Sequence, residues 1–163
     1  MRRLALLVLL VAAGAVSAGV ASRDGSSSPA APRDGRVVRV VDGDTILVGD
    51  ERVRLIGVDT PESVKPGTPV QCFALEASAF TKRLLEGRPV RLVLDVEERD
   101  RYGRLLAYVY REPDGLFVNA ELVRRGFASV ATFPPNVRHV DELVRLQRRA
   151  RERGAGLWGA CHT

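Results

Sequence analysis

Histidine and cysteine are almost missing from this chain of 163 residues: His139, His162, Cys72 and Cys161 are all there is. Two cysteines with no histidine at ligand spacing leave no zinc site. No cysteine stands near the end of the N-terminal apolar run, which excludes lipid attachment at that point. Lysine is equally rare, with only Lys65 and Lys82, so the net charge of +5 is carried by arginine. The arginine fork meets phosphate bidentately where lysine offers a point charge. Codon usage and solubility account for the surplus itself, so only individually placed arginines carry weight. No internal repeat is visible. With 45% hydrophobic and 28% charged residues, the chain has room for one globular domain and a short leader, and not for a long disordered tail.

The leader comes first. Arg2 and Arg3 precede an apolar stretch that ends in Val16-Ser17-Ala18, a small-residue cleavage site, so residues 1–18 read as a secretory signal peptide. The uncharged run continues to Ser22, which leaves an uncleaved membrane anchor as the alternative. Residues 19–34, rich in Ser, Pro, Ala and Gly, read as a flexible linker, and residues 35–163 as the folded domain. In an oxidising compartment the even pair Cys72 and Cys161 suggests one disulfide, against two free buried thiols. Closing a loop that long contributes about 4–5 kcal/mol in the chain-entropy model.

Apolar and β-branched runs at 36–41, 45–48 and 52–58 predict three strands in quick succession, with Asp42-Gly43 as a hairpin turn and Gly49-Asp50 as the next. Arg52 and Arg54 alternate with Val53 and Leu55, so both arginines face away from the inner pair. Residues 61–69 form a polar surface loop. A helix over 72–85 places Phe73, Ala77, Phe80, Leu84 and Leu85 on one stripe and stops at Gly87. Residues 90–96 and 104–110 are a fourth and a fifth strand. Asn119 caps a short helix carrying Leu122 and Val123, and Gly126 closes it. After Pro134-Pro135 a last helix spans 137–153, with Val140, Leu143, Val144 and Gln147 inward and Arg145, Arg148, Arg149 and Glu152 toward water. Five short strands with a helix between the third and fourth fit an α+β fold built on a five-stranded OB-type barrel with three helices; a small open sheet with helices on one side fits the same pattern.

Charge gathers at three strand ends: Asp42-Gly43-Asp44-Thr45, then Arg54 through Asp59-Thr60-Pro61-Glu62, then Asp100-Arg101-Tyr102-Gly103-Arg104. Phosphodiester hydrolysis asks for such an inventory. Water must lose a proton as it attacks, charge grows on the non-bridging oxygens, and an alkoxide leaves. Asp44 and Asp59 are hard oxygen donors of the kind Ca²⁺ or Mg²⁺ takes, and two carboxylates alone make a weak Ca²⁺ site, on the order of 10⁻⁴–10⁻³ M. Glu62 stands close enough in the chain to act as general base, and Arg54 and Arg104 can fork onto phosphate. Each residue also has an ordinary structural role open to it: Asp42 and Asp44 as turn formers, Arg54 as an ion-pair partner, Tyr102-Gly103 as a turn.

Together these runs resemble the thermonuclease (staphylococcal nuclease-like) family: Val41-Asp42-Gly43-Asp44-Thr45, Arg54-Leu55-Ile56-Gly57-Val58-Asp59-Thr60-Pro61-Glu62, Glu76-Ala77-Ser78-Ala79-Phe80-Thr81-Lys82, Asp100-Arg101-Tyr102-Gly103-Arg104, Val118-Asn119 and Gly156-Leu157-Trp158 occur in the family's order. The resemblance implies an OB-fold barrel with three helices and Ca²⁺-dependent cleavage of DNA and RNA with little sequence specificity, leaving 3′-phosphate ends. It implies Asp44, Asp59 and the Thr60 carbonyl as metal ligands, Asp42 one layer behind them, Arg54, Glu62 and Arg104 as catalytic residues, and Tyr102, with Arg101, on the nucleotide. Two departures stand out. Ala131-Thr132-Phe133-Pro134 lacks the tyrosines many members carry, which leaves Phe133 as the stacking surface, and the loop 63–71 has fewer lysines. The rival readings are a catalytically inactive binding barrel, a nuclease that uses histidine, and an envelope protein with no nucleic-acid role. Nothing in the sequence calls for more than a monomer.

Overall fold

The computed structural model describes residues 33–63, 67 and 69–161. The expected signal peptide, the linker up to residue 32 and His162 lie outside them. Three strands follow almost without interruption: β1 (Arg33–Asp42), β2 (Thr45–Val48) and β3 (Glu51–Leu55). Arg33 and Asp34, expected in the linker, are already strand and pair with Leu92 and Arg91. The first turn is Gly43-Asp44, one residue later than the Asp42-Gly43 dipeptide suggests, because Asp42 still pairs with Thr45. Glycine is required there by contact, since a Cβ on Gly43 would lie 2.6 Å from Thr60 Oγ1.

The third strand does not run on to Val58. Gly57 takes φ +79, a conformation that suits glycine, and turns β4 (Val58–Asp59) off the barrel. There follow α1 (Ala74–Leu85), β5 (Pro89–Val93), β6 (Leu105–Arg111), β7 (Leu116–Phe117), α2 (Val118–Arg124), β8 (Ser129–Val130), α3 (Val140–Glu152) and the single turn α4 (Leu157–Ala160). The hydrogen-bonded order β3-β2-β1-β5-β6 closes on itself by parallel pairing of Val53, Arg54 and Leu55 with Leu105, Leu106 and Ala107. This is the expected five-stranded barrel, and closure rules out the open sheet. β1 serves two neighbours because register shifts near Arg39 and Val40 bend it, so its start pairs with β5 and its end with β2. β4 and β8 form a separate two-stranded ladder, Val58 opposite Val130 and Asp59 opposite Ser129.

Alternate residues of each strand fill the barrel, Val37, Ile46, Val53, Val90, Leu105 and Val109 among them, and Leu122 and Leu143 close it from α2 and α3. Each such side chain stabilises by about 1.5–3 kcal/mol relative to exposure. The expected disulfide is present, joining Cys72 to Cys161 across 89 residues. Helix α1 begins two residues later than expected because Phe73 sits at φ +68, with its ring stacked on Phe127, which stacks in turn on Phe80. α3 begins at Val140 rather than Val137, and Val144, expected inward, is half exposed, while Ala150 is buried.

Asn119 does not cap its helix. α2 starts one residue earlier, with Phe117 at the cap and no side-chain bond to it. Asn119 points into the core, fully buried, where Oδ1 accepts from the Val109 N–H at 2.9 Å and Nδ2 donates to the Ile56 carbonyl at 2.8 Å. It ties β6 to the chain just past β3, the point from which Gly57 turns toward the site.

Candidate active site

The Gly43-Asp44 turn lies beside the end of β4, where the Thr60 N–H donates to Asp44 Oδ2 at 3.0 Å, and beside the end of β3, where the Leu55 N–H donates to the Asp44 carbonyl at 3.0 Å. Asp44 is buried, and its Oδ1 also accepts from Thr45 Oγ1. Arg54, outward on β3 as the alternation predicts, folds over this junction. Its Nη1 donates to the carbonyls of Leu55 and Val58 at 2.9 and 2.7 Å, and its Nη2 lies 3.1 Å from both Asp44 Oδ2 and Asp59 Oδ1. Arg54 is therefore an ion-pair partner, as its structural reading allows, and it is also the residue on which both expected metal ligands converge.

Behind these, Asp42 is buried and its Oδ1 accepts from the Gly43 N–H at 2.8 Å and from Ser63 Oγ at 2.6 Å. Burial pushes the Asp42 carboxyl above its ordinary range, helped by the nearby Asp44 charge and a hydrogen bond to Glu62, and opposed by Ser63 and Gly43. Asp59 is exposed at its tip. Desolvation by the groups around it raises it too, followed by repulsion from Asp44; attraction to Arg54 opposes this, and Glu62 adds to the rise. Glu62 is half-buried, and its N–H donates to Gln71 Oε1 at 2.8 Å.

These residues suit a hard divalent cation. Two carboxylates share one guanidinium, Asp59 is held above its ordinary range with Asp44 beside it, and Thr60 Oγ1 is buried with no hydrogen-bond partner. Among the described residues no three His, Cys, Asp or Glu side chains form a cage. A cation here would take two carboxylates and fill its remaining positions with backbone carbonyl, water and substrate oxygens.

Arg54 also lines a cleft of about 490 Å³, together with Gly57, Asp100, Tyr102, Arg104 and Phe133. Arg104 is fixed by Asp100: its Nε donates to Oδ2 at 2.6 Å and its backbone N–H to Oδ1 at 3.0 Å. Among the described residues nothing pairs with its two Nη nitrogens, which are left for an anion. Burial works against the Asp100 carboxylate, but the hydrogen bonds from Arg104 and Tyr102 outweigh it and hold the group below its ordinary range. Tyr102 and Phe133 are exposed at the rim. The guanidiniums of Arg101 and Arg104 lie 4.8 and 5.4 Å from the Tyr102 ring centroid, and Arg101 donates to the Tyr102 hydroxyl.

The family model for staphylococcal nuclease homologues matches residues 52–160. The chain belongs to that family. The match opens at β3, so Asp42 and Asp44 precede it. A thermonuclease of Staphylococcus hyicus is 43% identical over 127 residues, which cover 76% of this chain and 74% of that protein. A thermonuclease of Staphylococcus intermedius is 47% identical over 126 residues, 75% and 74% of the two chains. The endonuclease YncB of Bacillus subtilis is 38% identical over 126 residues, but these span only 59% of its length.

In this staphylococcal nuclease homologue, then, Asp42, Asp44, Arg54, Asp59, Thr60 and Glu62 gather at one end of the barrel. Arg101, Tyr102, Arg104 and Phe133 stand round the adjoining cleft. His139 is elsewhere, between the rings of Tyr108 and Phe117 and 3.2 Å from Glu142. Two supporting residues escape a reading of the sequence, and a third, Asp100, appears in it only as part of a charged run. Ser63 holds Asp42, Gln71 holds the Glu62 backbone, and Asp100 aims Arg104. Only Asp100 leaves a local trace, its four-residue spacing from Arg104 across a glycine turn.

Proposed function

We propose that this protein is a Ca²⁺-dependent nuclease that hydrolyses the phosphodiester bonds of DNA and RNA with little sequence specificity and leaves 3′-phosphate ends. The observation that carries the reading is the junction at Arg54, where two carboxylates meet one guanidinium on the wall of a cleft whose other side presents Arg104. Retention of Asp44, Asp59, Arg54, Glu62 and Arg104 together favours catalysis over a barrel that only binds. The leader sequence and the disulfide support export to an oxidising compartment.

Asp44, Asp59 and the Thr60 carbonyl would hold the cation. A divalent cation held there would supply Lewis-acid stabilisation of the charge that grows on phosphoryl oxygens. Glu62 takes the proton from the attacking water on its carboxylate. Arg104 forks onto the non-bridging oxygens through its Nη edge, already aimed by Asp100. Arg54 donates to the phosphate from the Nη2 side of its guanidinium, whose plane is held by the Nη1 bonds to the Leu55 and Val58 carbonyls. The 5′ oxygen leaves, so the phosphate stays on the 3′ side. Tyr102 and Phe133 offer ring faces to bases without reading their edges, and every other contact goes to phosphate, which carries no sequence information.

Digestion of single-stranded DNA and of RNA with Ca²⁺, with end-group analysis of the products, tests this. Cutting that stops in excess EGTA and yields 3′-phosphates is the expected result. Undiminished cutting in EGTA would remove the metal from the mechanism.

A further inference from the structure

The loop that carries Glu62 away from β4 is closed by one residue. Glu62 N–H donates to Gln71 Oε1 at 2.8 Å, and Gln71 N–H donates to the Glu62 carbonyl at 3.0 Å. Both backbone polar groups of Glu62 are thus taken by Gln71, which fixes the direction in which the Glu62 side chain leaves the backbone. Gln71 is anchored from behind. Its carbonyl accepts from the N–H of Ala74, the first residue of α1, at 3.1 Å, and its neighbour Cys72 is bonded to Cys161. Cys161 is no loose end: its N–H donates to Leu157, whose own N–H donates to the Gly126 carbonyl just past α2. The disulfide therefore connects the end of the Glu62 loop to fixed structure just past α2.

We propose that Gln71 is the positioning residue for Glu62 and that the Cys72–Cys161 disulfide is what keeps Gln71 in place. This rests on the assignment of Glu62 as the base. Gln71 acts through the Glu62 backbone. The phosphate contacts run through Arg54 and Arg104 and do not involve it, so its loss falls on kcat and leaves KM alone. A misplacement of about 1 Å at a reacting group costs up to ~10²-fold in rate.

The test compares the oxidised full-length protein with Gln71→Ala, Gln71→Glu and the double variant Cys72→Ser/Cys161→Ser, on single-stranded DNA with Ca²⁺. Gln71→Ala is expected to lower kcat about tenfold with KM within about twofold. Gln71→Glu, whose carboxylate still accepts the Glu62 N–H, keeps kcat within about threefold of wild type. The double serine variant loses a factor similar to Gln71→Ala, and combining the two removes little more, because both act through one clamp. Unchanged kcat, a rise in KM matching the fall in kcat, or fully additive losses would each overturn the proposal. The Gln71 variants retain the disulfide, so the result stands even where the serine pair fails to fold. Hydrogen exchange at the Glu62 amide, followed by NMR without substrate, separates the clamp from the chemistry. Faster exchange in Gln71→Ala but not in Gln71→Glu upholds the clamp even in a chain that cuts nothing, an outcome that would instead sink the nuclease reading. Unchanged exchange overturns the clamp whatever the activity.

Discussion

On one wall of the site Asp44 and Asp59 share a single guanidinium and Asp42 lies buried behind them; on the other, Asp100 pairs with one guanidinium, that of Arg104, and accepts from the backbone of its own turn. Asp42 and Asp59 are held above the ordinary carboxylate range and Asp100 below it. The same residue type is therefore used in two opposite ways. Where carboxylates are crowded, their charge is incompletely answered, and under the proposed function a divalent cation would complete it. Where one carboxylate is matched to one guanidinium, the pair is complete, and what it offers outward is the unused edge of the arginine. Arg54 is tied to the first wall by its four contacts to the Leu55 and Val58 carbonyls and to Asp44 and Asp59, and it also lines the cleft that Arg104 lines, so it joins the two.

If Arg54 joins the two walls, replacing it should do more damage than replacing anything on one wall alone. Arg54→Lys keeps the charge and loses the fork, and kcat is expected to fall about 10²–10³-fold, the range found for deletion of a transition-state donor. Circular dichroism checks that the barrel persists. Wild-type turnover in this variant would place Arg54 outside the reaction. Asp100→Asn touches the second wall only. The new amide sets a donor against Arg104 Nε, while its remaining oxygen can still accept the backbone N–H groups of Tyr102 and Arg104. A loss of about tenfold in kcat/KM is expected, since Arg104 keeps its charge and loses its aim. A loss equal to that of Arg54→Lys would mean that the walls are not distinct.

What the sequence made legible follows the range of the physical signal. The barrel strands show because alternation is local, and Asp44, Arg54, Asp59 and Glu62 show because they fall within two short runs. Residues whose partners are distant in the chain do not show. Asn119 bonds the Ile56 carbonyl 63 residues away, and the helix-capping habit of asparagine pointed to the wrong role. Gly43 reads as a turn glycine, but contact with Thr60 is what demands it. The early end of β3 depends on Gly57 taking φ +79, a turn that the apolar run through Val58 does not announce. Gln71 sits in a polar loop with no periodicity at all, and only its neighbour Cys72 marks the region as anchored.

The smallest expected effect is on stability, and it separates the walls by sign. Asp100 has a folded-state pKa below its unfolded value, so its contribution is fully present above the ordinary carboxylate range and is lost as pH falls through the folded value. Asp59 is the reverse: its folded-state pKa is raised, so the folded state pays most when the group is ionised, and stability from this group rises as pH falls. Thermal unfolding in excess EGTA reads both. At pH 7 Asp100→Asn should lower Tm by about 2–4 °C, the shift that roughly 1 kcal/mol gives in a domain of this size, and the difference from wild type should close at a pH low enough to protonate Asp100 in both states. Asp59→Asn, which still accepts from Arg54 but no longer faces Asp44 as an anion, should raise Tm slightly at pH 7 and not at low pH. Addition of Ca²⁺ should reverse the order, because the wild type gains a ligand that the variant binds poorly. A fall in Tm for Asp59→Asn in EGTA would show that the attraction of Arg54 outweighs the crowding, and the acid wall would then be a settled ion pair like its neighbour rather than a site prepared for a cation.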